Sequence, residues 1–120
     1  EFSREYILNQ KTLGPLNARI AFRDVSRATD TRTVRCALIP PRTFITNTGP
    51  VFMFPRGDEK DEAYLLGMLC SIPLDWSVRR YVGLNLNFYL FNSISVPRPE
   101  RDNIIWKRVI FSWLSLGSKN

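Results

Sequence analysis

The sequence predicts a mixed α/β domain, in which a mostly antiparallel or mixed sheet carries two or three helices packed on it. Short runs with alternating apolar residues in the first half of the chain indicate strands, whereas a broad apolar stripe in the middle indicates a helix. After Gly83 the hydrophobic period changes from 3.6 to 2, which predicts a return to strand. The 120 residues, of which 44% are apolar, suffice for one folded domain.

Four runs in the first half of the chain are predicted to be strands: residues 18–25, 33–39, 43–47 and 51–55. In the first run Ile20 and Phe22 fall on one face, which is typical of a half-buried strand. The outer face of that run is basic, because Arg19 and Arg23 alternate with the apolar pair. The polar segment 26–33 separates the first two runs, which predicts a hairpin with a sizeable tip.

Two helices are predicted in the middle of the chain, near residues 60–70 and 73–82. The acidic run 58–62 leads into the first helix, and its charge complements the positive end of the helix dipole. Pro73 suits the first position of the second helix, because its backbone φ is already helical there. Gly83 is expected to end that helix in the left-handed conformation.

The stretch after Gly83 is predicted to be the central strand, over residues 84–96. Leucine and phenylalanine recur there at alternate positions, namely Leu84, Leu86, Phe88 and Leu90. The pattern of the last segment does not decide between strand and helix, because the segment is apolar nearly all round. As a helix it would have Asp102 as N-cap and would run to about Leu116.

The charge of the chain is basic and is carried mainly by arginine. The formal net charge is +6, and thirteen of the 17 cationic residues are arginine. Between residues 17 and 56 there are seven arginines against Asp24 and Asp30. Arginine is favoured where phosphate, guanine or carboxylate is bound in a bidentate manner, so this balance indicates a nucleic-acid partner. The alternative is a solvated sheet face whose arginines pair with the nearby carboxylates.

Ten residues on the predicted strands and loops are candidate DNA contacts. The residues at the tip of the polar loop are expected to read base edges, and the arginines on the strand faces to hold phosphates. The candidates are Arg23, Arg27, Thr29, Thr31, Arg32, Arg35, Arg42, Asn47, Asn85 and Asn87. For the asparagines, the alternative is that they form the ordinary polar side of a sheet.

The sequence contains little that could carry catalysis or bind a metal. Cys36 and Cys70 are predicted to be reduced thiols in a cytoplasmic protein, and with no His they cannot complete a zinc site. There is no Gly-rich phosphate loop and no Ser/His/Asp set, so this piece is not expected to be an enzyme or to hold a cofactor. No apolar run approaches the roughly 20 residues of a membrane span.

Three runs of the chain resemble a known family. They are ARIAFRDVSRATDTRTVRCALIPP at 18–41, DEAYLLGMLCSIPLDW at 61–76 and NLNFYLFNSISVPRP at 85–99. Together they resemble the TaqI-like C-terminal specificity domain of adenine-specific DNA methyltransferases and related restriction–modification enzymes. The third run is also similar to the target-recognition domains of type I specificity subunits.

The resemblance implies a target-recognition domain at residues 17–99 that binds double-stranded DNA. Residues 1–16 would be a lead-in from an N-terminal methyltransferase domain of the same chain, which would bind S-adenosylmethionine and carry the Asn-Pro-Pro-Tyr motif absent here. Residues 100–120 would be an apolar helix or tail, through which a homodimer could form. Two alternatives stay open: a protein–protein assembly module that uses this apolar stripe, and an RNA-binding module.

Overall fold

A computed structural model describes residues 13–54, 57–100 and 102–117 of the chain. Within these residues there are three strands, β1 (Arg19–Phe22), β2 (Cys36–Ile39) and β3 (Val51–Phe52). Four α-helices follow, α1 (Glu59–Leu69), α2 (Ile72–Arg79), α3 (Phe88–Ser93) and α4 (Ile104–Gly117), and a short 3₁₀ turn, Gly14–Leu16, precedes β1. The predicted mixed α/β class is therefore confirmed, with four described helices instead of two or three.

The sheet has the order β2-β1-β3, and both outer strands run antiparallel to β1. Phe22 lies opposite Cys36, and Ile20 lies between Leu38 and Phe52. The first two strands form the predicted hairpin. β2 begins later than the predicted residue 33, because the N–H of Val34 donates to a side chain of α2.

The core lies on one face of the sheet, beneath α1, α2 and α3. Ile20 and Phe22 are buried there, as the alternation in the first run predicts. The prediction of a half-buried strand is wrong, because Arg19 and Ala21 are buried as well. The ring of Phe22 lies 5.1 Å from that of Phe52, 5.3 Å from that of Phe88 and 4.5 Å from that of Phe91, measured between centroids. These four rings join the sheet to α3.

The α1 and α2 helices begin at local capping signals. The Asp58 carboxylate accepts hydrogen bonds from the N–H groups of Lys60 and Asp61, and the Asp61 side chain accepts one from the N–H of Asp58. This reciprocal arrangement is a capping box, which satisfies otherwise free N–H groups of the first turn. The Ser71 hydroxyl caps α2, which places Pro73 second in the helix instead of first.

The prediction of a central strand over residues 84–96 is wrong. Asn85 forms an isolated antiparallel bridge with Val25, and α3 begins three residues later. The Asn87 side chain accepts a hydrogen bond from the N–H of Leu90 and so caps α3. Phe88 and Phe91 then lie three residues apart, at the spacing that brings two side chains to one side of a helix.

Three further predictions of local structure are also wrong. Residues 43–47 form no strand, and a turn closes where the N–H of Gly49 donates to the carbonyl of Thr46. Gly83 does not adopt the left-handed conformation, and neither does any other glycine among the described residues. In the last segment it is Asn103 that caps α4, because its side-chain oxygen accepts a hydrogen bond from the N–H of Ile105. Asp102 instead lies 3.5 Å from the Lys107 ammonium.

The α4 helix packs on α1 through a second, smaller core. The ring of Trp106 stacks on that of Tyr64 at 6.5 Å between centroids, and Ile110 is buried beside them. The Tyr64 hydroxyl donates to the carbonyl of Pro97 at 3.0 Å. None of the helices in the described ranges is long and apolar enough to cross a membrane.

Candidate nucleic-acid interface

Two arginines face each other at the end of the sheet where β1 leaves and β2 enters. The N–H of Arg23 donates to the carbonyl of Arg35 at 3.0 Å, which extends the antiparallel register by one pair beyond Phe22 and Cys36. Because successive side chains alternate between faces, both arginines point away from the core, and both are exposed.

The two guanidinium groups have few partners of their own. Within the described part of the chain, the Arg23 guanidinium makes no hydrogen bond or ion pair, and Arg35 uses its Nε–H to donate to the carbonyl of Arg32. Like charges directly opposite each other on a sheet destabilise it. An anion that binds both groups would remove this repulsion.

Two further segments meet at the same end of the sheet. The N–H of Asp24 donates to the carbonyl of Thr48, and the carbonyl of Asp24 accepts from the N–H of Leu86 at 2.7 Å. These bonds bring exposed Asn47 and exposed Asn85 to the end of β1. We call Arg23, Arg35, Asn47 and Asn85 the sheet-end surface.

The polar loop, residues 26–33, projects beside this surface. Its tip is a turn in which the N–H of Asp30 donates to the carbonyl of Arg27 at 3.1 Å. The Asp30 carboxylate in return accepts from the N–H of Arg27. Arg27, Thr29 and Thr31 are exposed there, as the sequence predicts for side chains that reach a ligand.

Arg32 does not extend from the tip, as the sequence led us to expect. Its Nε lies 3.6 Å from the Asp75 carboxylate, and its Nη2 donates to the carbonyl of Cys70 at 2.6 Å. Asp75 also accepts a hydrogen bond from the N–H of Val34 at 2.7 Å and pairs with Arg79 at 3.2 Å. Arg32 is therefore held by α1 and α2.

Three other polar side chains do not belong to the sheet-end surface. Two of them bind groups of the fold itself, and the third lies at the other end of the sheet. Arg19, expected on an exposed strand face, is buried and donates to the carbonyls of Gly14, Asn17 and Thr43. Arg42 is exposed at the opposite end of the sheet, where its N–H donates to the carbonyl of Pro15. Asn87 caps α3 with its amide oxygen.

The candidates chosen from the sequence leave out three residues in or directly after α2, of which Arg79 contacts the polar loop. Trp76 is 61% exposed, and the guanidinium carbon of Arg80 lies 4.9 Å from its ring centroid. Arg79 Nη2 donates to the carbonyl of Thr31 as well as pairing with Asp75. The sequence did contain a signal for these contacts. Asp75 and Arg79, like Trp76 and Arg80, are four residues apart, which makes their side chains neighbours on a helix.

Cys36 begins β2, Cys70 directly follows α1, and both are free thiols. Cys70 Sγ donates to the carbonyl of Cys36 at 3.9 Å. Burial, together with the neighbouring Cys70, raises the pKa of Cys36 to about 12, and burial also raises the pKa of Cys70. Both thiols are therefore protonated at neutral pH, and a protonated thiol is a poor nucleophile.

The sheet-end surface and the loop tip present guanidinium, hydroxyl and amide groups to solvent. Guanidinium, hydroxyl and amide groups bind phosphates and base edges. The described residues contain no group of three His, Cys, Asp or Glu that could hold a metal ion. Comparison of the chain with protein families, curated proteins and solved structures gave no match.

Proposed function

We propose that this chain is the DNA target-recognition domain of a larger restriction–modification adenine methyltransferase. In this proposal it binds duplex DNA and positions it for a catalytic domain that supplies the S-adenosylmethionine chemistry. The protein would act in the cytoplasm, where its DNA lies. The proposal rests on the exposed basic surface and on the family resemblance of residues 17–99.

The Arg23–Arg35 pair is the observation that carries the proposal. Two exposed cations at adjacent cross-strand positions repel each other, and the described residues offer Arg23 no carboxylate. The phosphates of a duplex are closely spaced anions and bind arginine in a bidentate manner. We therefore assign the phosphate contacts to Arg23 and Arg35.

Sequence readout belongs to the neighbouring loop tip in this proposal. Arg27, Thr29 and Thr31 are exposed, and their side chains carry the donors and acceptors that base edges present in a groove. Asn47 and Asn85 lie next to the phosphate contacts and can extend the readout. Arg32 is removed from this group, because its guanidinium is occupied by Asp75 and Cys70.

The test is the salt dependence of binding to a fluorescent 20-base-pair duplex of mixed sequence, measured by anisotropy over a series of KCl concentrations. Each lost phosphate contact should weaken binding to every duplex. It should also lower the salt slope, here the magnitude of the negative slope of log affinity against log salt, by about one. We expect this for Arg23→Ala and for Arg35→Ala. Arg108→Ala, which removes an exposed cation from α4, serves as the control and should leave the slope unchanged.

Two results would contradict the proposal. One is the absence of duplex binding by the unaltered chain, and the other is an equal slope for all three variants. A matched single strand and an RNA duplex of the same sequence are included, because stronger binding to either would favour an RNA-binding or single-strand function.

The exposed apolar face of α4 favours a second candidate, an assembly module. Ile104, Ile105 and Phe111 are 63%, 59% and 73% exposed, although Trp106 and Ile110 of the same helix are buried. Exposed apolar side chains grouped on one helix are typical of protein contacts. Self-association that needs no DNA, and that Phe111→Glu abolishes, would favour this function.

A further inference from the structure

Asp75 is a buried carboxylate whose partners lead to the polar loop. It lies in the first turn of α2, and its side chain is only 6% exposed. It accepts from the N–H of Val34, directly after the loop, and pairs with Arg32 inside the loop. Its third partner, Arg79, also donates to the carbonyl of Thr31.

These contacts fix one side of the loop and leave its tip exposed. A buried carboxylate is costly unless it is paired and hydrogen-bonded, and Asp75 has two guanidinium groups and one amide. Both arginine side chains are about one-third exposed, so each lies at the boundary between the fold and solvent. Residues 31–34 are thereby fastened to α2, whereas Arg27 and Thr29 remain exposed to a ligand.

We infer that Asp75 is a positioning residue for sequence readout: it holds the polar loop in shape and keeps Arg32 and Arg79 from binding phosphates. This inference rests on the proposed function. Removal of the Asp75 charge would have two consequences of opposite sign. The loop would lose its defined shape, which lowers discrimination between sequences, and two guanidiniums would be released, which raises affinity for any duplex.

A purely structural role for Asp75 predicts a different result. Partial unfolding would weaken binding to every duplex and would not raise the salt slope. The two effects can therefore be separated by measuring affinity for a preferred duplex and for a scrambled duplex at several salt concentrations.

The experiment begins with the unaltered chain and a pool of duplexes that carry a randomised central segment. Repeated selection yields a preferred duplex, and its scrambled counterpart serves as the non-specific probe. For Asp75→Asn we expect the ratio of the two affinities to fall about tenfold, roughly the discrimination of one base-edge contact. Affinity for the scrambled duplex should rise. The magnitude of the salt slope for that duplex should rise as well.

Asp102→Asn is the matched control, because it makes the same change of charge at a fully exposed carboxylate just before α4, whose ion-pair partner is Lys107 and not a residue of the loop. It should leave the ratio unchanged. If circular dichroism shows that Asp75→Asn is unfolded, the affinity ratio is measured for Arg79→Gln instead. That variant keeps the Asp75–Arg32 pair but loses the bond to Thr31, so the ratio should fall, and Arg79→Lys should restore part of it.

The possible outcomes distinguish this inference from the proposed function. If selection with the unaltered chain enriches no sequence, the proposed function fails. If it enriches one and the folded variants keep the same ratio, the positioning role of Asp75 fails. Loss of affinity for both duplexes, without a higher salt slope for Asp75→Asn, would also overturn the inference.

Discussion

At the scale of single residues, burial controls the chemistry of the two thiols. The pKa of Cys36 is raised to about 12 and that of Cys70 is raised in the same direction, in both cases mainly by burial. A group whose pKa is raised on folding stabilises the fold below its unfolded pKa, which is 9.0 for cysteine. That contribution is lost as the pH rises from about 9 towards 12.

We therefore expect the free energy of unfolding to fall by about 1 kcal/mol between pH 8 and pH 10 through Cys36 alone. Urea denaturation at pH 8, 9 and 10 measures this decline, and the range stays at or below the usual pKa of tyrosine. Cys36→Ala should flatten much of the curve. An equally steep decline in that variant would show that other groups cause it.

The contrast between Arg23 and Arg32 shows what the sequence could predict of the site. Arg23 and Arg35 lie in the two alternating runs that predict the hairpin, although the register that places them opposite each other comes from the structure. Arg32 depends on Cys70 and Asp75, which are about 40 positions away in the chain. No local pattern indicates whether a guanidinium binds a carbonyl of its own fold or a ligand.

At the scale of elements, α1 and α3 differ in how well local signals predict them. The acidic run before α1 predicts its N-terminus, because Asp58 and Asp61 cap it within the same four residues. The segment 88–91 is apolar at every position, so a helix and a buried strand both fit its pattern. The decisive features are the Asn87 cap and the docking of Phe88 and Phe91 on Phe22.

Asn87→Ala tests this account of α3. Loss of an N-cap typically costs about 1 kcal/mol, so the variant should unfold at a lower urea concentration. Asn85→Ala is the matched control, because the bridge of Asn85 with Val25 is made by the backbone. If both substitutions destabilise the protein equally, the Asn87 side chain does not act as a cap.

At the scale of the whole molecule, two separate cores hold the elements together. The larger core includes Phe22 and packs the sheet against α1, α2 and α3, whereas the smaller one joins α4 to α1 through Tyr64, Trp106 and Ile110. The sheet-end surface and the polar loop belong to the elements of the larger core. Their geometry should therefore depend on Phe22 much more than on Trp106.

Phe22→Leu and Trp106→Leu test this division. Phe22 is 2% exposed and contacts three other phenylalanine rings, so its replacement by leucine leaves a cavity that should cost about 1–3 kcal/mol. Trp106→Leu should loosen α4 and speed amide hydrogen exchange there, while exchange in β1 stays unchanged. Under the proposed function, the affinity for duplex DNA should stay unchanged as well. Exchange of individual amides and DNA anisotropy are measured for both variants at the same temperature.

Because the larger core supports the sheet, Phe22→Leu should speed exchange in all three strands. If Trp106→Leu speeds exchange in β1 as much as in α4, the two cores unfold as one unit.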